Sequence, residues 1–412
     1  MIDFELPPEI QELRARVASF VDDHALPAEA QIGTRPYFDI VRDLQAIARP
    51  LGLWCPLMPV ELGGMGLGPL GNAVVQIELA RTPNYLGPWG MNCMGPQDAT
   101  MVTLAEHGTD AQKAKYLVPL INGDLRICFS MTERAAGADA TGMRTEAVQD
   151  GDDWVLNGEK WFSSSASMSD LALVMARTDP SAPRHRQFTT FLVELPNPAY
   201  RIVRDIPMMN DAMHHDFEGE SRGGHAEVRI EDLRVPAANI VGGLGGGFSM
   251  GQHRLGYGRL RHGMWSIAKA QKALDLATGY AIQRETFGER VADRQGIQWM
   301  LADCAEKLYV MRLMVLHIAY KMEKKLDLRQ ENSIAKNYIA RSLFEILDTA
   351  MQIHGALGFT TDTPLAGMWM DARTNKVIDG PEEVHRWTIG RNVVKAFERD
   401  GTTRAAAAGD LV

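Results

Sequence analysis

Long apolar runs are missing from this chain of 412 residues, and nothing in it approaches the ~20 consecutive apolar residues that span a bilayer. Cysteine is scarce. Cys55, Cys93, Cys128 and Cys304 are widely scattered with no C-x-x-C pair, which argues against a disulfide framework or a zinc site and for a reducing compartment. The leading stretch MIDFELPPEI carries two acids before any apolar run, so it does not read as a secretory signal. A cytoplasmic protein is expected. An excess of basic charge is also lacking: the formal net charge is −9, which disfavours non-specific nucleic-acid binding. Internal repeats and low-complexity linkers are absent. What is present is ordinary globular composition, 45% hydrophobic and 23% charged, in a chain long enough for two or three domains.

The first 125 residues read as helical. Ile10, Leu13, Val17, Phe20 and Val21 share one face after a Pro-Pro start, and Pro27 is expected to end that run. Further helices are expected around Tyr37 to Ala48, Gly71 to Arg81, Asp98 to His107 and Asp110 to Ile121. The period changes near Leu125. Asp153–Leu156 and Glu159–Phe162, joined by Asn157-Gly158, predict a hairpin. Leu171–Arg177, Gln187–Glu194 and His225–Ile230 are further strand candidates. From Phe248 the helical period returns, with long apolar stripes through Ile297–Met322 and Ile334–Ile353. The reading is α+β in three parts: a helical domain at 1–125, a β-sandwich or barrel domain at 126–240, and a helical bundle at 241–412.

One stretch near the C-terminus stands apart. Ile378-Asp379-Gly380-Pro381 sets a carboxylate beside the two strongest chain breakers. Such a turn aims a general base well, and it is equally an Asx-turn that starts the next helix with Pro381 in its first turn. The glycines from Gly242 to Gly247 lack a βαβ context and read as a loop rather than a dinucleotide fingerprint. His214, His215, Asp216 and His225 fit no tight ligand spacing, so no metal is expected. Thr132-Glu133 reads locally as a helix cap, and Phe162 as core.

Several segments, in order, resemble the acyl-CoA dehydrogenase family of flavoproteins. They are Met131-Thr132-Glu133 with Ala136-Gly137-Ala138-Asp139, the run Asn157 to Ser164, Leu233-Arg234-Val235-Pro236, Gln283 to Gly288 with Gln295, and Gln352-Ile353-His354-Gly355-Ala356. The D-G-P-x-E-V-H turn at Asp379 is similar to the branch that carries an Asp base; animal members of that branch carry an added kinase-like domain. The resemblance implies an N-terminal helical domain, a middle β domain, a C-terminal four-helix bundle, and FAD as cofactor. It implies that Phe129, Met131, Thr132, Ala138, Phe162 and Ser164 line the flavin. Arg284, Thr286, Gln295, Gln352 and Gly355 would reach the diphosphate and adenosine of FAD in a neighbouring subunit, which implies a homodimer or homotetramer. Pro381 and Glu383 stand where the family contacts FAD after the base, but replace its usual Thr and Gln.

By the same resemblance Asp379 is the catalytic base, shorter than the family's usual Glu by roughly 1.5 Å, one carbon–carbon bond. Gly258 removes the alternative base position on the bundle helix. Arg259 and Ala138 would support the substrate, although Ala138 replaces a Ser, and Arg386 would order the turn. The implied reaction is α,β-dehydrogenation of an acyl-CoA thioester, with electrons passed to an electron-transfer flavoprotein. Two other readings share the resemblance. One is a nitroalkane-oxidase-like flavin oxidase on the same fold. The other is a DNA-associated alkylation-response flavoprotein, which the acidic charge and neutral Ala-rich tail disfavour.

Overall fold

The computed structural model describes residues 5–209 and 224–407. Before residue 127 the described residues form no named strand. The main helices there are α1 (Pro8–Phe20), α2 (Tyr37–Ala48), α3 (Pro69–Leu79) and α4 (Gln97–His107). Leu13, Val17 and Phe20 of α1 are buried, as their spacing predicts. Pro27 does not end that run. A wide π turn, Val21–Ala25, precedes it, and helix resumes over Leu26–Ala28. The same device recurs at Lys113–Leu117 ahead of Pro119. A proline has no N–H to donate, and a register change just before it accommodates the lost bond.

The middle of the chain supplies β1 (Ile127–Ser130), β2 (Glu146–Asp150), β3 (Asp153–Ser164), β4 (Leu171–Arg177), β5 (Phe188–Glu194), β6 (Tyr200–Asp205), β7 (His225–Pro236) and β8 (Ile240–Val241). They make one eight-stranded sheet in the order β6-β7-β3-β2-β4-β5-β8, with β1 alongside β4 in parallel. Trp154, Leu156, Val174, Phe191, Val228 and Ile230 fill its core. The Asn157-Gly158 hairpin is not formed. β3 runs straight through it, and the chain reverses one turn earlier at Gly151, φ +65°. Gly158 instead marks a bulge against β7, at φ +154°, where a Cβ would lie 2.5 Å from Thr145 Oγ1. The glycine is there because Thr145, just ahead of β2, comes too close for a side chain.

The C-terminal part is a bundle of α5 (Gly247–Gln283), α6 (Gln295–Glu323), α7 (Arg329–His354) and α9 (Glu382–Asp400), with the shorter α8 (Leu365–Thr374) packed beside them. Its core includes Met264, Ile267, Met311, Val315, Leu343 and Ile346, drawn in part from both apolar stripes. The segment after β8 is a loop that enters α5 with Gly242, Gly243 and Gly245 at positive φ. His214, His215 and Asp216 lie outside the described residues. No helix among the described residues is long and apolar enough to cross a membrane.

A buried ion pair staples the segment after β1 to the sheet. Lys160 is fully buried, and its Nζ donates to Met131 O and to Glu133 Oε1, both at 2.9 Å. The Glu133 carboxylate also accepts from Arg144 N and Thr145 N. Burial alone would push the Glu133 carboxyl up, but Lys160 and these N–H groups hold it below its ordinary value. Thr132-Glu133 is therefore not a helix cap. Lys160→Met leaves a buried charge without its partner and is expected to cost about 3–5 kcal/mol, read as a lower urea midpoint. Breaking the exposed Arg234–Asp150 pair should leave that midpoint near wild type.

Candidate active site

Asp379 sits at φ +51°, and Gly380 follows at φ +98°. A side chain at 380 could not be accommodated, since its Cβ would lie 2.8 Å from His385 Nε2. Pro381 is extended and forms the N-cap of α9, so the turn does start a helix. It is also fixed in space. The Asp379 carbonyl accepts from Arg259 Nε at 2.9 Å and contacts His385 Nε2 at 3.3 Å. His385 Nδ1 in turn meets Ser333 Oγ of α7 at 3.2 Å. The backbone of the turn is thereby tied to α5, α7 and α9 together, and the carboxylate is aimed by main chain rather than by a flexible stem.

The charge environment is unusual. Burial would raise the Asp379 carboxyl, but His262 Nε2 at 3.3 Å from Oδ2 and the charges of Arg259 and Arg261 more than offset it. The group is held well below the usual carboxylate range and arrives ionised at any physiological pH. Arg254 is pushed down to about 10 by burial, with Asp379 the charge that most opposes this. Asp98 of α4 is pushed up to about 6 by burial, against the pull of Arg261 and Arg254, and lies 3.6 Å from Arg261. Perturbed groups gathered around one carboxylate make it a candidate functional centre.

One face of α5 carries the connection from the sheet to this turn. A Cβ on Gly251 would lie 3.9 Å from both Met131 Sδ and the Phe129 ring. Arg254, one turn on, places its guanidinium 4.1 Å over that ring and donates to Thr100 Oγ1 and Pro96 O. Gly258 follows at the next turn, where a Cβ would lie 2.6 Å from Asp379 Oδ2. Seven residues of helix rise roughly 10 Å, so the end of β1 and the carboxylate meet the same face of α5 about that far apart.

Among the flavin-lining candidates, Phe129, Met131, Thr132, Phe162 and Ser164 converge where β1 meets β3. Trp161 N donates to Thr132 O, and Ser130 Oγ meets Ser163 Oγ at 2.9 Å. Phe162 is not core: it is 42% exposed on a left-handed backbone, φ +57°. The Ser164 hydroxyl is engaged by His225 Nδ1 at 2.7 Å. Ala138 is exposed beside Asp139, which pairs with Arg184. Arg284, Gln295, Gln352 and Gly355 are all exposed, at the far end of the bundle from Gly247. There the α5 and α7 C-termini meet the α6 N-terminus, and Tyr280 stacks on His354. Thr286 is held by Arg294. Glu383 is exposed and Pro381 half-buried.

Arg386 does not order the turn. It is exposed on α9 and lies 3.8 Å from Glu382, while Arg259 and His385 make the contacts expected of it. Sequence reading missed His262, Arg254, Arg261 and Asp98. The signal was available in part, since Gly251, Arg254, Gly258 and Arg261 recur at helical spacing on one face. Asp98 came from a distant helix and carried none.

Helical lobe, middle sheet and a bundle presenting a half-buried carboxylate at a turn form the three-part scaffold of a family of oxidoreductases. Residues 7–124, 128–219 and 245–394 match the N-terminal, middle and C-terminal domains of acyl-CoA dehydrogenase. The chain is 32% identical to the Mycobacterium tuberculosis protein named "Probable acyl-CoA dehydrogenase FadE2", over 98% of this chain and 100% of that one. It is 34% identical to acyl-CoA dehydrogenase family member 11 of Gallus gallus, over 92% of this chain and 50% of that protein. The chain thus spans about half the length of that relative. The solved structure of a Mycobacterium abscessus protein assigned to the same family superposes with TM-score 0.87, at 31% identity, covering 96% of this chain and 100% of that one. The chain belongs to the acyl-CoA dehydrogenase family.

His385 gives the turn a pH signature. Burial and the charge of Arg259 push its imidazole down to about 4, so it is neutral in the folded protein. The unfolded chain, near 6.5, binds the proton first, so stability is lost as pH falls from about 6.5 towards 4. His385→Gln should flatten that part of the pH–stability curve, measured as urea midpoints between pH 7 and 4.

Proposed function

We propose that this chain is an FAD-dependent dehydrogenase of acyl-CoA thioesters, forming the trans-2-enoyl product and passing electrons to an electron-transfer flavoprotein. The observation that carries this reading is Asp379: an ionised, half-buried carboxylate on a main-chain-fixed turn, with Gly258 leaving it room. Four free, buried cysteines fit the reducing conditions of a cytoplasmic location.

The residues present fit FAD by the chemistry they offer. Phe162 presents an aromatic face at the sheet edge, Thr132 and Ser164 add hydroxyls beside it, and Phe129 and Met131 give an apolar floor. Arg284, Thr286, Gln295, Gln352 and Gly355 supply a guanidinium fork, polar side chains and an open backbone suited to a diphosphate and adenosine. They stand among exposed apolar rings, Phe287 at 96% and Phe359 at 84% exposure, with Trp299 close by in α6. Such rings on a bundle end favour burial against a second subunit. A homo-oligomer in which each subunit completes its neighbour's cofactor site follows. Bound there, FAD supplies the hydride acceptor.

The chain's own residues supply the rest. Asp379 takes the α-proton, its position held by Arg259 and His385 through the main chain. Arg254, Arg259 and Arg261 surround it and favour the negative charge that develops on the thioester as that proton leaves. Arg254 and Arg261 are buried and Arg259 and Asp379 partly so, which strengthens each interaction.

Anaerobic titration of the holoenzyme with a panel of acyl-CoAs is expected to bleach the flavin. Asp379→Asn should abolish that bleaching while leaving the protein yellow. Gly258→Ala should slow it by about 10²-fold, because the added methyl displaces the carboxylate. Oxygen consumption with nitroalkanes and no response to any CoA ester would instead favour the oxidase reading.

A further inference from the structure

Helices α4 and α5 meet twice. On the buried side, Arg254 donates to Thr100 Oγ1, and Arg261 lies 3.6 Å from Asp98. On the solvent side, Glu106 and His107 at the end of α4 meet His253 of α5. His253 Nδ1 lies 3.2 Å from Glu106 Oε2, and His107 Nε2 lies 3.8 Å from the same oxygen. One ligand atom from each of the three residues lies within 4.8 Å of the other two. Among the described residues, no other group of three or more His, Cys, Asp and Glu side chains converges in this way.

The plainer use of these residues is an ion pair. The His253 imidazole donates to Glu106, which lowers the carboxyl and raises the imidazole. An ion pair needs one imidazole, however, and here two converge on a single carboxylate. Zinc lies about 2.0–2.2 Å from imidazole nitrogen and carboxylate oxygen, so a tetrahedron sets its ligand atoms about 3.3–3.5 Å apart. The 3.2 and 3.8 Å separations bracket that spacing, and small side-chain rotations close the set. The three side chains are between 39% and 52% exposed, so an ion can enter and water can complete its coordination. Packing holds the rings. The two imidazoles stand edge to face with centroids 6.2 Å apart, and the Tyr257 ring lies 5.5 Å from His253. Burial and the charges of Glu106 and Asp98 push the Tyr257 hydroxyl up to about 12, so it acts as a wall rather than a ligand.

We infer that Glu106, His107 and His253 form a binding site for a divalent transition metal such as zinc, which clasps α4 to α5. Two nitrogens and one oxygen suit zinc better than magnesium or calcium, which prefer oxygen alone. As the ion binds, the proton on His253 Nδ1 leaves to solvent and its lone pair turns to the metal, while Nε2 keeps its hydrogen. The clasp closes the exposed rim of the junction whose buried side carries Arg254 and Arg261. It requires none of the Asp379 chemistry, and it stabilises the helical lobe against the bundle because only the folded chain brings the three ligands together.

The test uses the holoenzyme, freed of metal with a chelator and titrated calorimetrically with zinc chloride. One equivalent per chain is expected to bind at this site and to raise the urea midpoint. The His107→Ala/His253→Ala variant should lose that equivalent and the rise in midpoint, while keeping whatever His214 and His215 bind. Glu106→Gln, which gives up the anionic ligand, should weaken zinc binding by at least about 10-fold, the lower end of what losing an outer-shell partner costs. A wild type that takes up no zinc, or an unchanged stoichiometry in the double variant, overturns the site. A bound equivalent that leaves the midpoint where it was overturns the clasp. Should the double variant fail to fold, the near-isosteric Glu106→Gln decides by the same two readings. No substrate enters these measurements, so the metal site stands or falls apart from the dehydrogenase reading.

Discussion

The hydrogen bond from Arg259 to the main-chain carbonyl of Asp379 is the contact on which the site depends. It joins a turn near the C-terminus to the first third of α5, helped by His385 from the helix that follows the turn. A carboxylate on a loose loop could reach many positions and would have to be ordered at each turnover. Here the backbone is held in a left-handed conformation that an Asp tolerates better than most residues. The glycine after it exists because His385 occupies the space a side chain would need. Five residues of the D-G-P-x-E-V-H turn therefore have a mechanical reason. Pro381 starts the helix, Glu382 takes Arg341, and His385 closes back onto the turn.

The second organising element is α5 itself. It meets the sheet at Gly251, carries Arg254 over the Phe129 ring, and opens a gap for the carboxylate at Gly258. Two of these positions are glycine for the same reason, close approach of something from outside the helix. An interior glycine costs helix stability, by about 0.5–1 kcal/mol relative to alanine. Its repeated presence on one buried face of a 37-residue helix marks the face that must admit other groups.

The fold was legible because periodicity is a property of long segments. Helices of 11 to 37 residues and strands such as Leu171–Arg177 announce themselves by spacing alone. What misled was local chemistry with more than one use. Asn157-Gly158 has the composition of a tight turn, but the glycine is needed because Thr145 passes beneath it. Pro27 looks like a stop, and a wide turn ahead of it lets the helix continue. Asp379 could be singled out because its two neighbours are chain breakers. Asp98 and His262 could not, since their roles arise only when α4 and the turn meet at α5. Long-range charge pairing leaves no mark in a single sequence.

Positions 258 and 379 bear on each other directly. Here a Cβ at 258 would lie 2.6 Å from Asp379 Oδ2, closer than any real contact of that kind, so both positions compete for one volume. A side chain at 258 would drive the turn's carboxylate out, and a carboxylate from the turn requires 258 to be empty. With the backbone of the turn drawn in by Arg259 and His385, the Asp already touches the helix. An added methylene at 379 would have to fold back or displace His262. The short side chain at 379 is thus matched by a turn seated close to α5, and side-chain length, helix glycine and turn anchoring read as one coordinated choice.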